Sequence, residues 1–151
     1  MILDKFKIPN KIAIVTGAMG GNGFAIADAL GEAGANLILT DMKEDNRILD
    51  KLKTKNYSFE FIKGDIANLD FPEELINSAI AKYNSLDILV NCAGIAATIE
   101  MENYDDELLT KMFDVNFKSV FRLCRQSILQ MKNQNSGCIL NIGSMSGIVS
   151  N

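Results

Sequence analysis

The sequence contains no histidine, and this absence excludes several kinds of chemistry. Within this chain there can be no Ser-His-Asp triad, no histidine general base and no histidine-assisted nucleophile. A zinc site would also lack its usual mixed set of ligands. Cysteine is scarce as well, since Cys92, Cys124 and Cys138 form an odd set without a CxxC pair. We therefore expect three reduced, partly buried thiols and no metal site.

Long apolar runs and basic clusters are missing too. No stretch approaches the roughly 18 uninterrupted apolar residues of a membrane span. The first residues include Asp4, Lys5 and Lys7, which are charged where a signal peptide needs an apolar core. The formal net charge is -4 with lysine and arginine scattered, whereas nucleic acid binding needs a basic face. These features predict a cytoplasmic protein that binds neither membrane nor nucleic acid.

The 151 residues are sufficient for one domain with a buried core, because 48% are hydrophobic and 23% are charged. Short apolar runs, typical of strands buried on both faces, alternate with segments of helical period. The predicted strands are Lys11–Val15, Asn36–Thr40, Phe59–Lys63, Leu86–Asn91 and Cys138–Ile142. The predicted helices are Asn22–Ala33, which Gly34 terminates, Asp45–Lys53, Pro72–Lys82 and Asp105–Lys132. This alternation predicts an α/β fold over residues 1–151, a Rossmann-type doubly wound parallel sheet truncated after the fifth strand, with ligands at the carboxyl ends of its strands.

A glycine-rich turn, Thr16-Gly17-Ala18-Met19-Gly20-Gly21-Asn22-Gly23, joins the first predicted strand to the first helix. It fits TGxxxGxG through Gly17, Gly21 and Gly23, and equally TGxxGxxG with Gly20 as the middle glycine. In either pattern the missing Cβ atoms permit a tight turn and let a pyrophosphate approach the helix N-terminus. The alternative is a turn without a ligand. We expect cofactor contacts from Gly17, Met19, Gly20, Gly21, Asn22 and Gly23.

Asp41 follows the second predicted strand, where the dinucleotide fingerprint has an acidic residue that binds the adenosine ribose hydroxyls. A carboxylate there also repels a 2′-phosphate, by about 4 kcal/mol per charge pair at roughly 4 Å and intermediate screening. The predicted cofactor is therefore NAD, and NADP is disfavoured. Lys43 and Arg47 follow closely and could soften that preference. A solvated loop acid is the alternative for Asp41.

Taken in order, the motifs resemble those of the short-chain dehydrogenase/reductase family, over essentially the whole chain. After Asp41 come Asp65-Ile66, Asn91-Cys92-Ala93-Gly94, Asn116 within a helix, and Ser144 after a strand. Any single motif is weak, but the set is specific. The resemblance implies that Asp65 and Ile66 bind adenine, with Asp65 accepting from the exocyclic amine, and a turn aspartate is the alternative.

The later motifs carry further implications of this resemblance. In the NNAG-like segment Cys92 replaces the second Asn, Ala93 and Gly94 let the backbone run against the cofactor, and Asn91 braces neighbouring strands. Asn116 helps a water chain reach the catalytic lysine, or is an ordinary helix residue. Ser144 is similar to the catalytic serine that hydrogen-bonds the substrate oxygen. Ser146 is a weaker candidate, because the family's serine precedes the glycine by three residues, as Ser144 precedes Gly147.

The family's proton transfer uses a tyrosine whose pKa is lowered by a lysine four residues later. None of Tyr57, Tyr83 and Tyr104 has a lysine at that spacing, so the resemblance implies that the pair lies beyond Asn151. We therefore expect an N-terminal portion of an enzyme. On its own this portion should bind NAD weakly, turn over no alcohol and expose its fifth strand as an apolar edge.

The function implied is an NAD-dependent oxidoreductase that interconverts a secondary alcohol and a ketone as small-molecule substrates. Residues Gly143–Asn151 resemble family members that act on polyols and sugars. The alternative is a non-catalytic dinucleotide-binding protein or a redox sensor. The resemblance also implies that the full-length protein is a homo-oligomer, a dimer or tetramer. On the helix that carries Asn116, an apolar stripe indicates core or subunit interface: Met112, Phe113, Phe117, Val120, Phe121 and Cys124.

Overall fold

A computed structural model describes residues 2–144, which form a parallel sheet flanked by helices. The strands stand in the order β3-β2-β1-β4-β5, and every neighbouring pair is parallel. Chain order reverses between β1 and β4, which is the switch point of a doubly wound sheet. The predicted α/β, Rossmann-type fold is confirmed. The strand bounds are β1 Ile12–Thr16, β2 Asn36–Asp41, β3 Phe59–Lys63, β4 Ile88–Asn91 and β5 Cys138–Asn141.

The helices follow the predicted segments, with one difference in the last. Their bounds are α1 Gly21–Glu32, α2 Asn46–Thr54, α3 Phe71–Tyr83, α4 Asp106–Phe113 and α5 Ser119–Asn133, with short 3-10 turns at Ile2–Phe6 and Met101–Asn103. The stretch predicted as one helix over Asp105–Lys132 is divided by a π-helical segment, Asp114–Lys118, that contains Asn116. Such π segments are often found at functional sites.

The end of α1 agrees with the prediction for Gly34. This glycine has a φ of 102°, and its amide donates to the Gly31 carbonyl oxygen at 3.0 Å. The Ala35 amide donates to the Leu30 carbonyl oxygen, also at 3.0 Å. This pair of hydrogen bonds is a Schellman motif, and it turns the chain into β2.

Two apolar cores lie on opposite faces of the central strands. In β1, Ile14 packs with residues of α3 and α5, whereas its neighbours Ala13 and Val15 pack with residues of α1 and α2. The expected burial on both faces therefore holds for the centre of the sheet. It is wrong for the edge strands of the described sheet, because β3 is only half-buried and Leu140 of β5 is 47% exposed.

The cysteines also differ from expectation at the sheet edge. Cys92 and Cys124 are half-buried, as predicted, but Cys138 is exposed because it begins β5. Burial raises the pKa of the Cys92 thiol and of the Cys124 thiol. Residues 2–144 contain no group of three or more cysteine, aspartate or glutamate side chains arranged to hold a metal ion. No helix within these residues is both long and apolar enough to span a bilayer.

Asp87, which lies just before β4, binds the amino end of β1. Its Oδ1 accepts a hydrogen bond from Lys11 Nζ at 2.7 Å, and its Oδ2 accepts one from the Ile12 amide at 2.9 Å. Burial alone raises the pKa of this carboxyl, but the contacts with Lys11 and Ile12 outweigh burial, so the pKa lies below its ordinary value of 3.8. The ionised carboxylate therefore stabilises the fold above that ordinary pKa, and the stabilisation is lost as pH falls through the lowered pKa.

We expect Asp87→Asn to lower the free energy of unfolding at pH 7 by about 1 to 3 kcal/mol, because a partly buried carboxylate loses its charge-assisted hydrogen bonds with Lys11 and Ile12. Urea titrations at pH 7 and below pH 3 measure the change, and the difference from wild type should shrink at the lower pH. Asp50→Asn is the matched control, because the Asp50–Lys53 pair is exposed on both sides. An equal loss in both variants at pH 7 would contradict the prediction.

Candidate functional site

Two adjoining clefts open at the carboxyl ends of the strands. The Asp41 cleft has a volume of about 260 Å³ and is lined by residues that include Gly17 and Gly20 of the glycine turn, Asp41, Asp65 and Ile66. The Ser144 cleft has a volume of about 580 Å³ and is lined by residues that include Asn22, Asn91, Asn116 and Ser144. The clefts share the segment that follows β4: Cys92, Ala93, Gly94 and Ile95. The structure thus brings the predicted site residues to one edge of the sheet.

The glycines of the turn differ in what requires them. Gly17 has a φ of 66°, and a Cβ there would lie 2.8 Å from the Ala93 Cα. A Cβ on Gly23 would collide with the Gly17 carbonyl oxygen. A Cβ on Gly21, in contrast, would have no described atom within 4 Å. The chain's own packing therefore requires Gly17 and Gly23, whereas the space beside Gly21 is open for a ligand.

The amino end of α1 is arranged to receive an anion. Gly20 is the N-cap residue, with φ -86° and ψ 165°, and no side chain of residues 2–144 caps the helix there. The first amide groups of a helix lack partners within the helix, and the helix dipole places partial positive charge at this end. A pyrophosphate fits this end on both counts, because its oxygens accept hydrogen bonds and are negatively charged.

Asp41 is in contact with the glycine turn. Its Oδ2 accepts a hydrogen bond from the Met19 amide at 3.1 Å, and its Oδ1 accepts one from the Lys43 amide at 3.3 Å. Each carboxylate oxygen can accept a further hydrogen bond. The side chain is thus held beside the glycine turn with acceptor capacity available for ribose hydroxyls.

The predicted adenine pair, Asp65 and Ile66, also lines the Asp41 cleft. Asp65 is exposed, and its Oδ1 accepts a hydrogen bond from the Ala67 amide at 2.9 Å. Ile66 is 6% exposed and belongs to the core that α3 covers. Asp65 therefore has the turn-forming role considered as its alternative, and it also lines the cleft.

Thr16 was not singled out from the sequence, although it holds the two central strands together at the site. Its buried Oγ1 accepts hydrogen bonds from the Cys92 amide and the Ala93 amide, both at 3.0 Å. These bonds hold the start of the Cys92–Ile95 segment beside the glycine turn. The sequence signalled Thr16 only as the first residue of the TGxxxGxG pattern at the end of a buried strand, because its partners lie 76 and 77 residues away.

Asn91 and Asn141 form a cross-strand pair at the ends of β4 and β5. They are partners in the strand register, and Asn91 Nδ2 donates to Asn141 Oδ1 at 2.8 Å. Asn91 is only 3% exposed, and the same Nδ2 lies 3.5 Å from Cys124 Sγ. Asn91 thus bridges two strands. Asn141 was given no role from the sequence, because its contact depends on register.

Asn116 is bound to the segment between the clefts. Its Oδ1 accepts a hydrogen bond from the Ile95 amide at 2.9 Å, and its Nδ2 donates to the Ile95 carbonyl oxygen at 2.8 Å. A Cβ on Gly94 would lie 3.3 Å from the same Oδ1. The Asn116 side chain therefore positions this segment directly. The two bonds use one lone pair of Oδ1 and one proton of Nδ2. A water chain at Asn116 would therefore contact the second lone pair or the second proton.

Ser144 lies three residues beyond β5 and lines the Ser144 cleft with Asn22 on the opposite side of the switch point. The described residues that line this cleft carry no charged side chain. Ser146, the weaker candidate, lies outside the described residues. The cleft therefore suits an uncharged group beside the Ser144 hydroxyl.

Comparisons with known proteins agree with this geometry. The family model described as short chain dehydrogenase matches residues 11–151, so the chain belongs to the short-chain dehydrogenase family. The (S)-acetoin-forming diacetyl reductase of Staphylococcus epidermidis is 33% identical over 141 residues, which are 91% of this chain and 55% of that protein. The 3-oxoacyl-acyl-carrier-protein reductase FabG of Staphylococcus aureus is 31% identical over 144 residues, which are 93% of this chain and 58% of that protein.

Solved structures show the same relationship. The crystal structure of gox2181 has a TM-score of 0.93 and 32% identity, and the match covers 100% of this chain and 60% of that one. A putative short-chain alcohol dehydrogenase from Sinorhizobium meliloti 1021 has a TM-score of 0.88 and 27% identity, over 97% of this chain and 59% of that one. The chain thus spans a little under two thirds of the length of its relatives. Members of the family use nicotinamide dinucleotide cofactors.

Proposed function

We propose that this chain is the NAD-binding part of an oxidoreductase that interconverts a secondary alcohol and a ketone. One observation carries the proposal: the glycine turn brings together an uncapped helix N-terminus, with open space at Gly21, and the Asp41 carboxylate, which accepts a hydrogen bond from the Met19 amide. A dinucleotide needs this combination, because its pyrophosphate binds the helix N-terminus and its ribose hydroxyls donate hydrogen bonds to the carboxylate. Family membership and the similarity to a diacetyl reductase support the reaction class.

In this proposal each cleft receives one half of the cofactor. Gly20, Gly21 and Asn22 bind the pyrophosphate, while Asp65 and Ile66 border the adenine. The backbone at Ala93 and Gly94 lies against the nicotinamide half, which supplies hydride transfer when bound. Ser144 hydrogen-bonds the substrate oxygen in the uncharged cleft, and Asn116 keeps the Gly94–Ile95 segment in place. Asp41 favours NAD over NADP, because a carboxylate repels a 2′-phosphate.

Isothermal titration of the 151-residue chain with ADP-ribose tests the binding half of this proposal. ADP-ribose contains the adenine, both riboses and the pyrophosphate, so it engages the Asp41 cleft without needing the nicotinamide. We expect saturable binding to a single site, and weaker binding of 2′-phospho-ADP-ribose. Absence of heat at millimolar ADP-ribose, together with unchanged amide resonances of Met19 to Gly23, would contradict the proposal.

The catalytic half requires a different measurement. Reading the coding sequence beyond Asn151 for a Tyr-x-x-x-Lys separates an oxidoreductase from a non-catalytic dinucleotide-binding protein. If the pair is encoded, the longer product should oxidise NADH with a ketone such as diacetyl, and the 151-residue chain should not. The polyol and sugar resemblance of Gly143–Asn151 stays a prediction, because residues 145–151 lie outside the described part. The cytoplasmic location also stays a prediction.

We also propose a homo-oligomer formed through the helix after Asn116. Three aromatic side chains of the predicted stripe point outward, with Phe113 54%, Phe117 63% and Phe121 57% exposed. They are spaced four residues apart and so share one helical face. The other stripe members, Met112, Val120 and Cys124, are half-buried. Contiguous exposed apolar surface of this kind is typical of an interface between proteins.

In the full-length protein, Phe117→Ser should shift the dimer or tetramer toward monomer in sedimentation velocity, because it removes the aromatic at the centre of this face. Leu69→Ser is the matched control, since Leu69 is 69% exposed and is not on the face. If both variants sediment like the wild type, the aromatic face is not the subunit contact.

A further inference from the structure

Ser119 follows the π-helical segment Asp114–Lys118, and its amide and its side chain bind two successive carbonyl groups of that segment. The Ser119 amide donates to the Asp114 carbonyl oxygen, five residues back, which is the hydrogen bond of a π-helix. In an α-helix the same amide would bind the Val115 carbonyl oxygen, four residues back. The Ser119 hydroxyl donates to that Val115 oxygen instead. The side chain therefore takes the place of the amide that the π register displaces.

This hydrogen bond lies in the interior of the protein. Ser119 is 0% exposed, and Val115 is 7% exposed and belongs to the core that α3 and α5 cover. A buried carbonyl group that loses its donor is destabilising, because water does not replace the lost partner. Without the hydroxyl, the Val115 carbonyl can recover a donor by taking back the Ser119 amide, which returns the segment to the α register. The serine side chain thus favours the π register over the α register.

The π-helical segment places two of its residues at the clefts. Val115 lines the Asp41 cleft, and Asn116 lines the Ser144 cleft. The Asn116 amide group binds the Ile95 amide at 2.9 Å and the Ile95 carbonyl oxygen at 2.8 Å, and Ile95 lines both clefts. A return to the α register would turn Asn116 about the helix axis and away from Ile95. The Ser119 hydroxyl therefore affects both clefts, although Ser119 itself lines neither.

We propose that Ser119 is a positioning residue of the dinucleotide site, and that it acts through Asn116 on the Gly94–Ile95 segment. This inference rests on the proposed function and deepens it. Asn116 determines where the segment lies, and Ser119 stabilises the helical register in which Asn116 reaches it. Hydroxyls of helical serines often bind a carbonyl oxygen four residues back. Ser119 differs from such serines because its own amide has left that oxygen for the Asp114 carbonyl.

The test measures ADP-ribose binding and amide hydrogen exchange in Ser119→Ala, which removes only the hydroxyl. We expect the affinity for ADP-ribose to fall by about threefold to tenfold, the effect of one neutral hydrogen bond. Exchange at the Ile95 amide should accelerate more than exchange at the Ile14 amide, which reports on unfolding of the central sheet. In an Asn116→Ala background, where the Ile95 bonds are already lost, adding Ser119→Ala should change the affinity by less than about twofold. A substitution that only destabilises the fold would not give this non-additivity.

Ser127→Ala is the matched control on the same helix. Ser127 is also 0% exposed, but its hydroxyl has no hydrogen-bond partner within the described part of the chain. Its replacement should leave ADP-ribose affinity and Ile95 exchange as in wild type. Equal effects of the two serine substitutions, an undiminished loss in the Asn116→Ala background, or unchanged Ile95 exchange in Ser119→Ala would overturn the inference. A wild-type chain that does not bind ADP-ribose would instead contradict the proposed function, and Ile95 exchange would still test the role of Ser119.

Discussion

Replacing Gly21 with alanine should weaken ADP-ribose binding at least tenfold while the chain stays as stable as wild type. A Cβ at this position has no described neighbour within 4 Å, so the protein itself does not oppose the methyl group. Alanine in a helix is favoured over glycine by roughly 0.5 to 1 kcal/mol, so the free energy of unfolding should hold or rise slightly. The methyl group would instead occupy the space where the proposed pyrophosphate meets α1.

Gly17→Ala is the matched comparison within the same turn. Its backbone φ of 66° disfavours any side chain, and the new Cβ would lie 2.8 Å from the Ala93 Cα. Strain of this kind costs on the order of 1 to 3 kcal/mol, and the overlap adds to it. Urea unfolding and calorimetry with ADP-ribose should therefore separate the two variants. Gly17→Ala loses stability and binding together, whereas Gly21→Ala loses binding alone. Wild-type affinity in Gly21→Ala would mean that no ligand group approaches that residue.

The turn taken by itself fits two glycine patterns, and this comparison distinguishes them. Gly20 and Gly21 are the same residue type and cannot be distinguished in the sequence. In the structure, a Cβ on Gly20 would lie 3.3 Å from the Gly17 carbonyl oxygen, whereas a Cβ on Gly21 would have no described atom within 4 Å. The geometry favours TGxxxGxG, in which Gly21 is the residue that only a ligand would require. That difference depends on the direction of the Cα–Cβ bond at each position of the folded turn, which the residue type does not specify.

The strands were predictable because a strand that is buried on both faces has a continuous run of apolar residues, as in β1 and β2. The π-helical segment Asp114–Lys118 was not, since the surrounding helical period of apolar residues continues through it. The contacts that organise the site are also beyond local patterns. Thr16 binds the amides after β4, Asn91 binds Asn141, and Asn116 binds Ile95, each across at least 21 residues. Sequence motifs identified most of these residues, but only the tertiary structure supplies their partners.

The second large effect is expected at Asp41, because its carboxylate has two tasks in the proposed site. It accepts the Met19 amide, which orders the glycine turn, and it is available to the ribose hydroxyls. Asp41→Ala removes both, and we expect ADP-ribose binding to fall about a hundredfold, as the loss of two hydrogen bonds to a charged group implies. Amide hydrogen exchange at Met19 should also accelerate, because its acceptor is gone.

Asp41→Asn separates the two tasks. Asparagine keeps an acceptor oxygen for the Met19 amide but carries no charge, so amide exchange at Met19 should stay close to that of wild type. ADP-ribose should weaken by about tenfold, the difference between a charged and a neutral acceptor, while 2′-phospho-ADP-ribose should gain relative to it because the repulsion is removed. Asp50→Asn controls for loss of one carboxylate elsewhere, since Asp50 pairs with Lys53 on the exposed face of α2. If the ratio of the two affinities is the same in Asp41→Asn as in wild type, Asp41 does not sense the 2′ position. Slow exchange at Met19 with lost ADP-ribose binding would identify recognition of the ribose, and not order in the turn, as the larger of its two contributions.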